Sequence, residues 1–179
     1  MDIRKALIVV DMQYDFVHKE GSLYVEDAEK IIEPINRLIT SDIYDHVILT
    51  QDWHPLNHVS FNIFPKHCIQ DTKGAELVFQ PEKKCTVFKK GQKTCTESFS
   101  AFIDSAGNNT GLHAILAEYN INTLDIVGVA LEYCVKETAI TATRFGYDVN
   151  VIVSLTRAVT VEGFNQTLKG LIDHNITLI

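Results

Sequence analysis

Leu124-Asp125-Ile126-Val127-Gly128 is followed by Val129-Ala130-Leu131-Glu132-Tyr133-Cys134, and the two pieces together read as a strand that breaks into a helix. The strand at 124–127 ends at a glycine, and a helical pattern starts near Tyr133, with Val135, Thr138, Ala139 and Ala142 recurring at helical spacing. Three more short apolar runs end in the same manner, on a residue that can do chemistry. Lys5-Ala6-Leu7-Ile8-Val9-Val10 runs into Asp11, and His46-Val47-Ile48-Leu49-Thr50 into Asp52-Trp53-His54. Cys85-Thr86-Val87-Phe88 runs into Lys89-Lys90-Gly91. In an open parallel sheet, ligands bind beyond the carboxyl ends of the strands. A carboxylate, an ammonium, a thiol and a candidate metal pair are therefore expected in one cleft, as in an enzyme.

Between these runs lie helical patterns, the alternation expected of a βαβ sheet. Ala28, Ile31, Ile32, Ile35, Leu38 and Ile39 share one helical face, with Pro34 as an expected local kink. Residues 52–84 read as a long loop rich in His and Pro, a length that usually marks function. A helix near 112–119, a helix at 133–145, a strand at 148–153, a helix at 162–173 and a strand at 176–178 complete the cycle. The expected fold is α/β: a single doubly wound, mostly parallel sheet with helices on both faces, in one domain spanning 1–179.

Composition narrows the partners. The 179 residues are 46% apolar and 22% charged, ordinary for a globular protein, with a net charge of −7 and scattered basic residues. Nucleic-acid binding needs clustered Lys and Arg, and a membrane span needs about 20 consecutive apolar residues; neither is present. No secretory leader pattern precedes Ala6-Leu7, so a cytoplasmic location is expected, with Cys68, Cys85, Cys95 and Cys134 reduced. Homo-oligomer formation is left open.

Cys134 in a first helical turn would have its thiolate favoured by the helix dipole, and backbone N–H groups there would form an oxyanion hole. A small buried core cysteine is the competing reading. Asp11 ends an almost wholly apolar strand and would serve as the general base, or simply cap the next turn; Gln13 and Asp15 read as turn residues. Lys90, with Lys89 as its competitor, would place an ammonium beside the thiol and favour thiolate. Asp52 and His54 project to one side of an extended chain, and His58 and His67 follow in the loop. Such a set suits Zn²⁺, Fe²⁺ or Mn²⁺, or consists of unrelated loop residues. Phe16, Trp53 and Phe64 flank these groups, and would wall a pocket for a flat aromatic substrate or plug the core.

Taken together, these blocks resemble the nicotinamidase/pyrazinamidase family within the isochorismatase-like cysteine hydrolases. The matching pieces are Val9-Val10-Asp11-Met12-Gln13-Tyr14-Asp15-Phe16, Thr50-Gln51-Asp52-Trp53-His54-Pro55 and Asn57-His58-Val59-Ser60-Phe61. Phe64-Pro65-Lys66-His67-Cys68, Phe88-Lys89-Lys90-Gly91 and Val127–Val135 continue them in order over nearly the whole chain. The resemblance implies a catalytic trio of Asp11, Lys90 and Cys134, with Lys90 selected because the family's lysine directly precedes a glycine. It implies one divalent metal ion (Zn, Fe or Mn) on Asp52, His54 and His67, with His58 a further ligand or a group behind them. It implies a cis peptide between Val129 and Ala130, with the N–H groups of Ala130 and Cys134 as the oxyanion hole. The implied pocket includes Phe16, Phe64 and Tyr133. The implied reaction takes nicotinamide and water to nicotinate and ammonia through a thioester, with pyrazinamide as a further small-molecule substrate. Three departures from the family pattern stand out, at four positions. Leu131-Glu132 stands for Thr-Asp and Phe64 for Trp, both expected to reshape the pocket, and Ser154 replaces an Asp after the fifth strand. The rival readings are a related cysteine hydrolase acting on another small amide, and a non-catalytic ligand-binding member of the fold.

Overall fold

The computed structural model describes residues 2–80 and 85–179. The elements are β1 (Lys5–Val10), a short α1 (Tyr14–Val17), α2 (Ile32–Thr40), β2 (His46–Asp52), β3 (Cys85–Lys90) and α3 (Leu112–Glu118). They continue with β4 (Thr123–Val129), α4 (Lys136–Arg144), β5 (Asp148–Arg157), α5 (Val161–Asp173) and β6 (Thr177–Leu178). One six-stranded sheet runs in the order β3-β2-β1-β4-β5-β6, and every pairing is parallel.

Alternation along the strands feeds two cores. Ala6, Ile8 and Val10 of β1 pack with Leu124 and Ile126 of β4 against Leu112, Leu116, Ala139, Ala142 and Leu171 from α3, α4 and α5. Leu7 and Val9 face the opposite side with Val47, Leu49, Val127 and Val129, against Ile35 and Ile39 of α2. Burial on both faces explains why these strands read as unbroken apolar runs. Each fully buried Ile or Leu contributes about 1.5–3 kcal/mol.

The strand order reverses between β1 and β4, the topological switch point at which a crevice opens. Gly128 lets the two strands meet there. It has φ +111°, pairs with Val10, and any Cβ would collide with the Val10 carbonyl.

Several boundaries differ from the sequence reading. The face expected over 28–39 is a 3₁₀ turn (Ala28–Ile31) continued by α2. Pro34 does not kink it, because it is the third residue of α2, where its missing N–H breaks no intrahelical bond. The helix expected at 133–145 begins earlier, as a π turn (Leu131–Val135) leading into α4. The fifth strand reaches Arg157 rather than 153, because its register against β4 jumps from Ile126↔Val151 to Gly128↔Thr156. Ser154 therefore lies inside β5, not after it. The long loop carries 3₁₀ turns at Val59–Asn62 and Lys73–Ala75, and its last part, 81–84, lies outside the described residues. Among the described residues, no helix is long and apolar enough to cross a membrane.

Candidate active site

The carboxyl ends of β1, β2 and β3 and the π turn after β4 converge. Asp11 follows β1 with φ +48°, and its side chain is buried. Thr50 of β2 holds it twice: the hydroxyl donates to Asp11 Oδ1 (2.6 Å) and accepts from the Asp11 N–H (3.1 Å). Lys90 ends β3 and is buried, with Nζ 2.8 Å from Asp11 Oδ2 and 2.6 Å from Asp52 Oδ1. The same ammonium donates to Ser98 O (2.9 Å) and lies 3.5 Å from Cys134 Sγ. Asp11 Oδ2 has this ion pair but no aligned hydrogen bond, which leaves it able to accept a proton. One carboxylate oxygen each of Asp11 and Asp52 lies within 4.8 Å of Cys134 Sγ.

The charges do not favour a resting thiolate. Burial pushes Cys134 well up; Lys90 opposes this, but Asp11 and Asp52 add to it. Lys90 and the helix start were expected to favour a thiolate; burial opposes them first, and the one ammonium is shared with two carboxylates. Burial also raises Asp11, against the pull of Lys90. Burial alone would lower Lys90, yet Asp11 and Asp52 hold it well above its usual range, so it stays charged. Burial would raise Asp52, but Lys90 and His54 keep it below the ordinary carboxylate range.

Asp52, His54 and His67 meet a few ångströms away, their ligand atoms within 4.8 Å of one another. His54 Nδ1 is 2.9 Å from Gly91 O and His67 Nδ1 is 2.8 Å from Pro65 O. A carbonyl only accepts, so both Nδ1 atoms carry a proton, and in the neutral rings both Nε2 atoms present a lone pair. His54 Nε2 is buried without a partner, 3.5 Å from Asp52 Oδ2. Two imidazoles and a carboxylate with an orphaned nitrogen fit a divalent cation. Gly91, at φ +64°, makes room for this ring, since a Cβ there would strike His54.

His58 stacks on His54 with ring centroids 4.0 Å apart. Its nitrogens are already used: Nε2 donates to Thr96 O (3.0 Å), and Nδ1 accepts from Ser60 N–H (3.2 Å). His54, His58 and Glu97 also lie within 4.8 Å of one another, but the committed nitrogens make His58 a support for the His54 ring rather than a free ligand.

Cys134, Asp52 and His67 face one cavity of about 180 Å³. Phe16, Phe64 and Tyr133 line it. Trp53 does not; Lys89 Nζ lies 3.4 Å over its ring, which also accounts for Lys89 away from the thiol. Leu131 and Glu132 do not line it either. The Val129–Ala130 peptide is cis.

The sequence reading missed several contributors. Leu23, Tyr24, Val25, Glu97, Phe99 and Val159 line the cavity without any motif to mark them. Gln13, read as a turn residue, clamps β2: Nε2 donates to Asp52 O (2.8 Å), and Oε1 accepts from Asp52 N–H (2.8 Å). Asp15 accepts from the N–H groups of Cys68 (2.8 Å) and Ser22 (3.2 Å), joining two wall loops. No local signal marked Gln13, because the chain turns tightly after β1, with Gln13 N–H donating to Asp11 O (2.8 Å).

A thiol, a buried carboxylate–ammonium pair and a three-ligand cation site at the switch point of a parallel sheet define a hydrolase built around cysteine. Residues 5–179 match the isochorismatase domain, and the chain belongs to the isochorismatase family. It is 34% identical to the nicotinamidase of Saccharomyces cerevisiae, over 98% of this chain and 99% of that protein. Its fold matches that of PnC1 from L. infantum, solved in complex with nicotinate, with a TM-score of 0.94 at 33% identity, covering 98% of this chain and 92% of that one. The pyrazinamidase of Pyrococcus horikoshii, solved in complex with zinc, matches with a TM-score of 0.90 at 32% identity, over 98% of both chains.

Proposed function

We infer that this chain is a nicotinamide amidohydrolase that forms nicotinate and ammonia through a thioester on Cys134. The observation that carries this reading is the contact of Lys90 Nζ with Asp11, Asp52 and Cys134 Sγ beside an aromatic-walled cavity. The relatives named above are a nicotinamidase and a nicotinate complex, and they support the substrate class.

Asp11 takes the proton from Cys134, and Sγ attacks the carboxamide carbon as the C=O electrons move to oxygen. The N–H groups of Ala130 and Cys134 receive the oxyanion. Asp11 then returns its proton to the departing nitrogen, the C–N bond breaks and ammonia leaves a thioester. In the second half Asp11 takes a proton from water, hydroxide adds to the thioester carbon, and the C–S bond breaks. The thiolate recovers the proton from Asp11, and the nicotinic acid that remains gives its own proton to solvent or ammonia and leaves as nicotinate. Lys90 keeps Asp11 oriented throughout, and the raised pKa of Asp11 suits a group that must both take and return a proton.

Asp52, His54 and His67 are the residues that would hold one divalent cation, zinc, iron or manganese, which when bound supplies a Lewis-acid anchor for the ring nitrogen. Phe16, Phe64 and Tyr133 wall the ring. The cavity is below the ~300–1,000 Å³ typical of pockets for larger ligands, which favours a small planar amide. The test is ammonia release from nicotinamide, pyrazinamide and an aliphatic amide, before and after chelation. Turnover of the two ring amides, lost on chelation, is expected. Preference for the aliphatic amide would refute the substrate assignment.

A further inference from the structure

Glu132 stands two residues before the nucleophile, does not line the cavity and takes no part in the chemistry above. Its carboxylate reaches across to the segment that leads into α5. Oε1 accepts from the N–H groups of Val159 (2.9 Å) and Thr160 (3.0 Å), and Oε2 accepts from Val159 N–H (3.0 Å). Val159 is 55% exposed, yet it forms part of the cavity wall beside Tyr133 and Cys134. A valine so exposed has little packing of its own to fix it, so its backbone anchor determines where the wall stands. The helix start has a separate cap, Thr160 Oγ1 accepting from Gly163 N–H (2.9 Å), so Glu132 is not needed to satisfy that donor.

Gly163 supplies the second observation. A Cβ there would come within 2.6 Å of Glu132 Oε1 and 2.7 Å of Thr160 Oγ1. The glycine has an ordinary helical conformation with no positive φ, and alanine is the better helix former. What its missing side chain leaves is space for the Glu132 carboxylate.

We propose that Glu132 is a positioning residue that pins Val159 against the nucleophile turn and thereby sets the size limit of the substrate cavity. The inference rests on the nicotinamide reading for its substrate, but the clamp itself is a backbone contact. The substrate class it selects is an unsubstituted six-membered heteroaromatic carboxamide, with ring-substituted analogues excluded by the Val159 wall.

Three variants test it. Glu132→Ala removes all three acceptor contacts, Gly163→Ala displaces the carboxylate while favouring the helix, and Glu132→Gln keeps one oxygen able to accept from both N–H groups. Glu132→Ala and Gly163→Ala should raise KM for nicotinamide about tenfold with kcat within twofold, the signature of lost ground-state positioning. Their preference for nicotinamide over 5-methylnicotinamide should shrink by a similar factor, and Glu132→Gln should restore most of it. Native-state amide exchange at Val159 and Thr160 should quicken in Glu132→Ala. That readout needs no substrate, so it separates failure of the clamp from failure of the nicotinamide assignment. Unchanged exchange at both amides would overturn the proposal. So would unchanged KM and selectivity in Glu132→Ala, or losses that merely follow the thermal midpoint and leave Gly163→Ala unaffected.

Discussion

Lys90→Met is the sharpest probe of the charge arrangement. The ammonium is buried, and it separates two carboxylates whose oxygens lie 2.8 and 2.6 Å from it. Removing one member of such a buried set leaves uncompensated charge and costs about 3–5 kcal/mol, a large share of the ~5–15 kcal/mol that holds a domain folded. The variant can limit that cost only by protonating Asp11 or Asp52. Asp11 is already the group raised by burial and by Asp52. The sign of the pH effect follows. In the wild type the depressed Asp52 contributes stability present above its unfolded pKa of about 4 and lost as pH falls through the folded value. In the variant a carboxyl has a raised folded pKa, so stability is lost as pH rises through that value. The gap between the two proteins should therefore be wide at pH 7 and narrow near pH 4. Urea titrations at both pH values measure it directly, and ammonia release should fall by about 10³ or more because Asp11 loses its proton-accepting state. Lys89→Met, which removes only the contact over Trp53, should cost about 0.5–1 kcal/mol and leave turnover near wild type. Equal stability of Lys90→Met and wild type at pH 7, or reversed effects of the two lysines, would refute the argument.

Cys134→Ala should abolish turnover with the fold intact; a substrate-like electrophile should label Cys134, whereas a general thiol reagent should reach exposed Cys95 first, and mass spectrometry distinguishes them. The acid limb of kcat/KM should sit above the ordinary carboxylate range, because Asp11 must be ionised and its pKa is raised; Asp11→Asn should remove both the limb and about 10²–10⁴ of the rate. His54→Ala should abolish stoichiometric metal binding in calorimetry and raise KM, while His58→Gln should retain the ion, since the His58 nitrogens serve Thr96 and Ser60 instead.

The sheet and its reactive ends were readable because burial on both faces leaves nearly pure apolar runs, each stopping where chemistry begins. Asp11, Lys90 and Cys134 stood out as candidates by position at those ends, but the choice of Lys90 over Lys89 rested on the resemblance to a family whose lysine directly precedes a glycine, here Gly91. What escaped was whatever depends on long-range approach. Leu23, Tyr24, Val25 and Phe99 reach the cavity from loops that carry no periodicity. The register jump in β5 is set by pairing with β4 and has no local mark, which misplaced Ser154. The Cys134 thiol is pushed up first by burial and then by Asp11 and Asp52, neither of which is marked in the sequence around it.

The meeting of β1 and β4 at Val10 and Gly128 has a consequence for how activity arises during folding. Asp11 follows one of these strands and Cys134 the other, and the β1–β4 pairing from Lys5 opposite Thr123 onward brings them together. Pairing so distant along the chain is among the slower events of folding. No amino-terminal fragment ending before β4 holds both reacting groups, and neither does the remainder. Regained turnover in a refolding experiment therefore timestamps the closure of the sheet's central seam, later than the local helices that a far-ultraviolet signal would record.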